Sequence, residues 1–125
     1  MPAKRPFFLN LLIIRLPVGG MVSILHRVTG AALSVAVPFL IYLLGRSLRS
    51  AEDFHAVADW FGTPLGWLIL AGLTWITLHH FFAGLRHLGF DLGWGEDREP
   101  ARLTAWLTLA LGIGLTLLVA IGRLI

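Results

Sequence analysis

The chain contains no cysteine. Disulfides, thiolate metal sites, iron–sulfur ligation and a thiol nucleophile are therefore excluded from within it. Charge is the second scarcity. Only 14% of the residues are Asp, Glu, Lys or Arg, where average soluble domains carry about 25%. Against this, 57% are hydrophobic and the mean hydropathy is +0.81. A soluble domain of 125 residues would bury a core under a polar skin, and too little polar surface is present to make that skin. Lipid must supply most of the solvent. The net charge of +3 is small and scattered, which argues against nucleic acid as a partner and reads as membrane-flanking charge. There is no internal repeat and no low-complexity tract.

What the chain does have is long apolar runs. Residues 21–44 contain one formally charged side chain, Arg27, while 64–85 and 103–122 contain none. Roughly 20 helical residues cross a bilayer core, so each run qualifies as a span. The second has a readable start, with Thr63 as N-cap and Pro64 at the first helical position. Its helix is predicted to continue through Arg86 to about Phe90, before Gly93 and Gly95 break it. At 1.5 Å per residue that is about 40 Å, longer than the hydrocarbon core of about 30 Å, so one end projects into the headgroups or the helix tilts. In "AEDFHAVADWF" (51–61), Phe54, Val57, Ala58 and Phe61 share a helical face, which predicts a short helix on the membrane surface, with His55 solvated. The opening "MPAKRPFFLNLLIIRLPVGG" has a basic start and a short apolar patch interrupted by Arg15 and Pro17. With no small-residue cleavage site after it, an interfacial arm is predicted rather than a cleaved signal peptide. The expectation is an all-α membrane protein, one domain over 1–125, with three transmembrane helices at about 21–44, 64–90 and 103–124 and a short interfacial helix in the first loop.

Three spans put the N-terminus and second loop on one side of the membrane. Lys4, Arg5, Arg15, Arg98 and Arg102 lie there, against Arg46, Arg49 and Arg123 on the other side. Five against three favours an inside N-terminus, and Arg27 and Arg86 lean the same way. The start of the first span and the end of the second then share the inner edge, and these two ends carry nearly all the unusual polar chemistry.

In "SILHRVTG" (23–30), Ser23, His26, Arg27 and Gly30 follow an i, i+3, i+4, i+7 pattern and share a face. In "HHFFAGLRHLGFD" (79–91), His80, Gly84, His87 and Asp91 fall within one narrow stripe at about 100° per residue, and His79 points away. His80 lies about 10 Å deeper than His87. A neutral imidazole in the membrane is an available metal ligand, and haem iron commonly takes histidine axially. A glycine one turn away removes bulk, letting a flat macrocycle approach the helix. Haem propionates want cationic donors near the interface, within reach of His26, Arg27, Arg86 or His87. A quinone head group wants hydroxyl and cationic donors, which Ser23 and Arg27 offer one turn apart. The plainer readings stand beside these. An intramembrane histidine also serves to bond a neighbouring helix, Gly84 to permit close packing, and Arg27 and Arg86 to snorkel. On spacing alone, His79, Gly112 and Gly114 are packing residues, and Asp91 ends its helix beside a basic neighbour.

The stretches "RP" (5–6), "RLP" (15–17), "SILHRVTG" and "HHFFAGLRHLGFD" together resemble the cytochrome b membrane-anchor subunits of succinate dehydrogenase, the larger anchor of complex II. The Ser-x-x-His-Arg-x-x-Gly block and the later His-x-x-x-Gly-x-Arg-His block are hallmarks of that family, and the length and three-span layout agree. One departure is "FFLN", where the family has Pro-His after its first Arg-Pro. The resemblance implies that His80 is an axial ligand to haem b, with the second axial histidine coming from a smaller hydrophobic anchor subunit. It implies that Ser23 and Arg27 belong to a ubiquinone pocket close to an iron–sulfur subunit, and that His26 lies beside the haem propionates. Arg86 and His87 match the rest of the second block, with a propionate or interface role. A flavoprotein subunit would oxidise succinate, so this chain would not be an enzyme on its own. It would dock the assembly, hold haem b and help form the quinone site in a bacterial inner membrane, with its N-terminus cytoplasmic.

Two rivals follow from other function classes. A haem-less structural anchor, as in related fumarate reductase-type complexes, would use the histidines only for packing. A transporter or proton-conducting subunit would need a polar track through the whole bilayer, but no ionisable residue lies between Arg102 and Arg123 or within 64–76.

Overall fold

The computed structural model describes residues 16–122. The expectations placed on the N-terminal arm, including Lys4, Arg5 and Arg15, and on Arg123 lie outside them. The described residues form four helices and no strand: α1 (Val18–Ser47), α2 (Ala51–Gly62), α3 (Pro64–Asp91) and α4 (Arg98–Gly122). Three of these, α1, α3 and α4, are long and apolar enough to cross a membrane.

The boundaries follow from local chemistry. Pro17 stands in extended conformation before α1, which has neither a side-chain cap nor an acidic residue in its first turn. The Ser50 hydroxyl accepts from the Asp53 amide at 3.0 Å at the start of α2, and Glu52 and Asp53 suit the positive end of that helix. Asp53 also pairs with Arg46 from the last turn of α1 at 3.1 Å. Thr63 caps α3, accepting from the Gly66 amide at 3.1 Å, with Pro64 at the first position, as its sequence predicts. The other end of α3 closes in a Schellman motif. The amide of Trp94 bonds the carbonyl of Gly89 and that of Gly93 bonds Phe90, while Gly93 takes a φ of 76°. Only glycine adopts that conformation without strain. At 28 residues, α3 is about 42 Å long.

The short helix expected in the first loop is present as α2, but its inward face differs from the predicted one. Val57 and Phe61 turn toward α1, and Ala56 and Trp60 join them in a groove with Phe39 and Tyr42. Phe54 is exposed and meets His55 edge-on. The tight turn after Ser47 fixes how α2 rotates against α1, and periodicity alone does not register that constraint.

In the bundle, α3 packs against both α1 and α4. Its apolar core of Val22, Ala83 and Ala105, with Val18 and Leu109 against it, sits at the end where α1 begins, α3 finishes and α4 begins. Small side chains let the helices approach closely there, as is usual where lipid offers no hydrophobic drive to associate. The buried hydroxyls of Thr29 and Thr108 donate to Leu25 and Thr104 carbonyls in their own helices, both at 2.8 Å. They therefore need no partner on another helix. Elsewhere the spans present large apolar side chains outward, Val35 and Leu118 among them.

Candidate functional site

The histidine-bearing ends of α1 and α3 meet. His80 Nδ1 lies 3.1 Å from the backbone carbonyl oxygen of His26. A carbonyl only accepts, so this contact places the proton on Nδ1 and leaves Nε2 with its lone pair. Thr29 Oγ1, whose own proton goes to Leu25, stands 3.4 Å from the same Nδ1 as a second acceptor. An imidazole fixed through one nitrogen by a carbonyl is the arrangement in which the other nitrogen serves as a metal ligand.

Sterics secure the same ring. A Cβ at Gly30 would come within 2.9 Å of His80 Cε1, so glycine at that position lets the imidazole lie against α1. The rings of His26 and His80 stack with centroids 4.3 Å apart and planes 15° apart. On its other side His26 meets His87, with centroids 5.1 Å apart. His26 Nε2 occupies the space beside Gly84, 3.5 Å from where a Cβ would be. The predicted stripe of His80, Gly84 and His87 therefore faces α1, and the gap at Gly84 admits His26. Among the described residues, no three His, Cys, Asp or Glu side chains converge as a set able to hold a metal ion.

The face shared by Ser23, His26, Arg27 and Gly30 divides. His26 and Gly30 turn to α3, whereas Ser23 is half-buried and Arg27 exposed. Arg86 turns away from the histidines, because its helical phase aims it at α4. Nε donates to Thr104 Oγ1 and one terminal nitrogen to the Ala101 carbonyl, each at 3.2 Å. The guanidinium also lies 4.4 Å from the Phe90 ring centroid. Asp91 is the last residue of α3, but it forms no ion pair among the described residues.

His79 is fully buried, as a packing residue should be. It stacks on Trp75 at 5.4 Å, and Gly112 of α4 lies over its backbone. Sequence reasoning missed Thr29 and the Arg86–Thr104 contact. The first had a signal in the placement of Thr29 one turn after His26. The second depends on how α4 is rotated, which no spacing within one helix encodes.

Comparison with known proteins places the chain in a family. The family model for the succinate dehydrogenase/fumarate reductase transmembrane subunit matches residues 1–119. The chain is 40% identical over 110 residues to the succinate dehydrogenase cytochrome b556 subunit of Coxiella burnetii, covering 85% of this chain and 86% of that protein. It is 36% identical over 119 residues to the cytochrome b556 subunit of Paracoccus denitrificans, covering 94% and 91%. Identity to the cytochrome b560 subunit of Reclinomonas americana is 33% over 124 residues, covering 94% and 85%. The chain therefore belongs to the succinate dehydrogenase/fumarate reductase transmembrane-subunit family, as a cytochrome b membrane anchor.

Proposed function

We propose that this chain holds haem b in a succinate:quinone oxidoreductase and forms part of its quinone site, with His80 as its axial ligand. The observation that carries the reading is the contact between His80 Nδ1 and the His26 carbonyl, which leaves Nε2 as the coordinating atom. Among the described residues no three side chains form a metal set, which is compatible with one ligand from this chain and a second axial histidine from a smaller anchor subunit. Haem b, when bound, supplies one-electron transfer, with a potential set by ligand identity, burial and hydrogen bonding. The other partners are an iron–sulfur subunit and a flavoprotein that oxidises succinate, and the acceptor is ubiquinone. The chain sits in a bacterial inner membrane with its N-terminus cytoplasmic. Arg98 and Arg102 lie at the α1-start end and Arg46 and Arg49 at the other, in keeping with the charge bias.

Each residue has a task. His26 fixes the proton of His80 through its carbonyl, and its ring, with that of His87, offers N–H donors toward propionates nearer the membrane edge. Arg27, exposed on α1, stabilises negative charge developing on a quinone oxygen, and the Ser23 hydroxyl one turn earlier orients the ring by a hydrogen bond. Quinone reduction takes two electrons and two protons, and partner subunits complete the proton path.

The test is a reduced-minus-oxidised visible spectrum of the assembled complex, parent against His80→Ala. A b-type band pair in the parent that is lost, weakened or shifted in the variant is the expected result. An unchanged spectrum would move the ligand to His26, His79 or His87. An assembled parent complex with no b-type band would leave the haem-less anchor instead.

A further inference from the structure

We infer that a cleft between the start of α1, the end of α3 and the start of α4 binds the phosphate headgroup of an anionic phospholipid. The cleft encloses about 730 Å³ and is lined by Val18 and Gly19 together with Arg86, Arg98, Arg102 and Trp106. Three arginines thus line one space, and no acidic residue lines it. Among the described residues, none of the three forms an ion pair. Arg86 bonds α4 through Nε and one terminal nitrogen, which leaves its other terminal nitrogen for a ligand. Planar guanidinium forks are well matched to phosphate oxygens.

The helix ends add to this field. The N-terminus of α1 has no acidic residue in its first turn and no side-chain cap, so its positive end reaches the cleft uncompensated. Arg98 and Arg102 stand in the first turns of α4, where the helix dipole disfavours cations. An anion between them relieves both conflicts. The acidic residues of the α3–α4 connection, Glu96 and Asp97, do not line the cleft, and Glu99 lies in the adjoining groove beyond Arg102. The residues preceding α1 contain no Asp or Glu, so they bring no side-chain carboxylate to it.

Position decides between a lipid and a free anion. The arginines are at the rim, and Trp106, one turn below Arg102, is largely exposed on the flank of α4 beside the equally exposed Leu103. Cation first and apolar surface below is the order of a phospholipid headgroup and its chains, and tryptophan favours that depth. The inference rests on α1, α3 and α4 crossing the bilayer and is independent of the haem and quinone assignments.

The experiment is native mass spectrometry of the detergent-solubilised complex containing this chain. Phosphatidylglycerol and phosphatidylcholine are supplied at equal concentration. The parent is expected to retain phosphatidylglycerol about tenfold better, the scale of two charge-assisted contacts at a membrane edge. Arg98→Gln/Arg102→Gln should bring the ratio close to one. Arg46→Gln/Arg49→Gln, which removes the same charge at the opposite end, should leave it unchanged. Equal retention by the parent of both lipids, or undiminished preference in Arg98→Gln/Arg102→Gln, would overturn the inference. Displacement of phosphatidylglycerol by an equal concentration of inorganic phosphate would overturn the lipid in favour of a free-anion site.

Discussion

The two faces of α3 carry adjacent histidines in opposite circumstances. Toward α4, His79 is wholly enclosed, its backbone lying under Gly112 and its ring stacked on Trp75. Toward α1, His80 is only half-buried, yet its Nδ1 is fastened to a carbonyl and its ring is stacked on another imidazole. One residue step, about 100° of rotation, separates them. Burial alone therefore does not orient an imidazole. A ring proton held by a carbonyl does, because it defines which nitrogen keeps its lone pair.

That contrast can be broken most severely at Gly30. An added Cβ would already crowd His80 Cε1, so Gly30→Ala should tilt the ring and Gly30→Leu should expel it. The expected outcome is a shifted b-type band in the first variant and a lost one in the second, at unchanged levels of assembled complex. Wild-type spectra from both would sink the idea that the α1 face seats the ring. The opposite face is probed at Gly112, where a Cβ would rest 3.5 Å from His79 Cα, an ordinary contact. Gly112→Ala should thus be tolerated, while Gly112→Leu overpacks α3 against α4 and lowers stability by about 1–3 kcal/mol. Thermal inactivation of the solubilised complex measures this, and equal stability of the leucine variant would mean that the helices can part freely. The smallest effect is expected at His79. Replacing it with Phe keeps a ring on Trp75 and removes the polar atoms of the imidazole from an enclosed site. Net stability should hold or rise slightly and the visible spectrum should not move. Loss of the haem band in His79→Phe would reverse the roles given to the two faces.

Helix positions were largely legible in the sequence because their signals are local. Apolar run length, the Thr63–Pro64 start and the Gly93 stop are written within a few residues each. The division of α3 into two histidine faces was legible for the same reason, since it needs only helical rotation. Contacts between helices were not. That Arg86 reaches Thr104 while Arg27 faces outward depends on how α4 and α1 are turned about their axes, and hydrophobic pattern fixes that weakly when lipid covers most of each helix. The inward set on α2 escaped for a related reason. All four predicted apolar positions satisfy a helical face, and the groove against Phe39 and Tyr42 selects only part of it.

The Schellman closure of α3 has a consequence for how the pocket comes into being. Six residues, 92–97, join α3 to α4, so these spans form a tight antiparallel hairpin whose Arg86–Thr104 contact closes over 18 positions. The contact between His80 and the His26 carbonyl closes over 54. Loop entropy favours the shorter closure first. A chain that follows this order builds its hairpin first, and the docking of α1 is the event that fixes the proton of His80 and so gives the ring its direction.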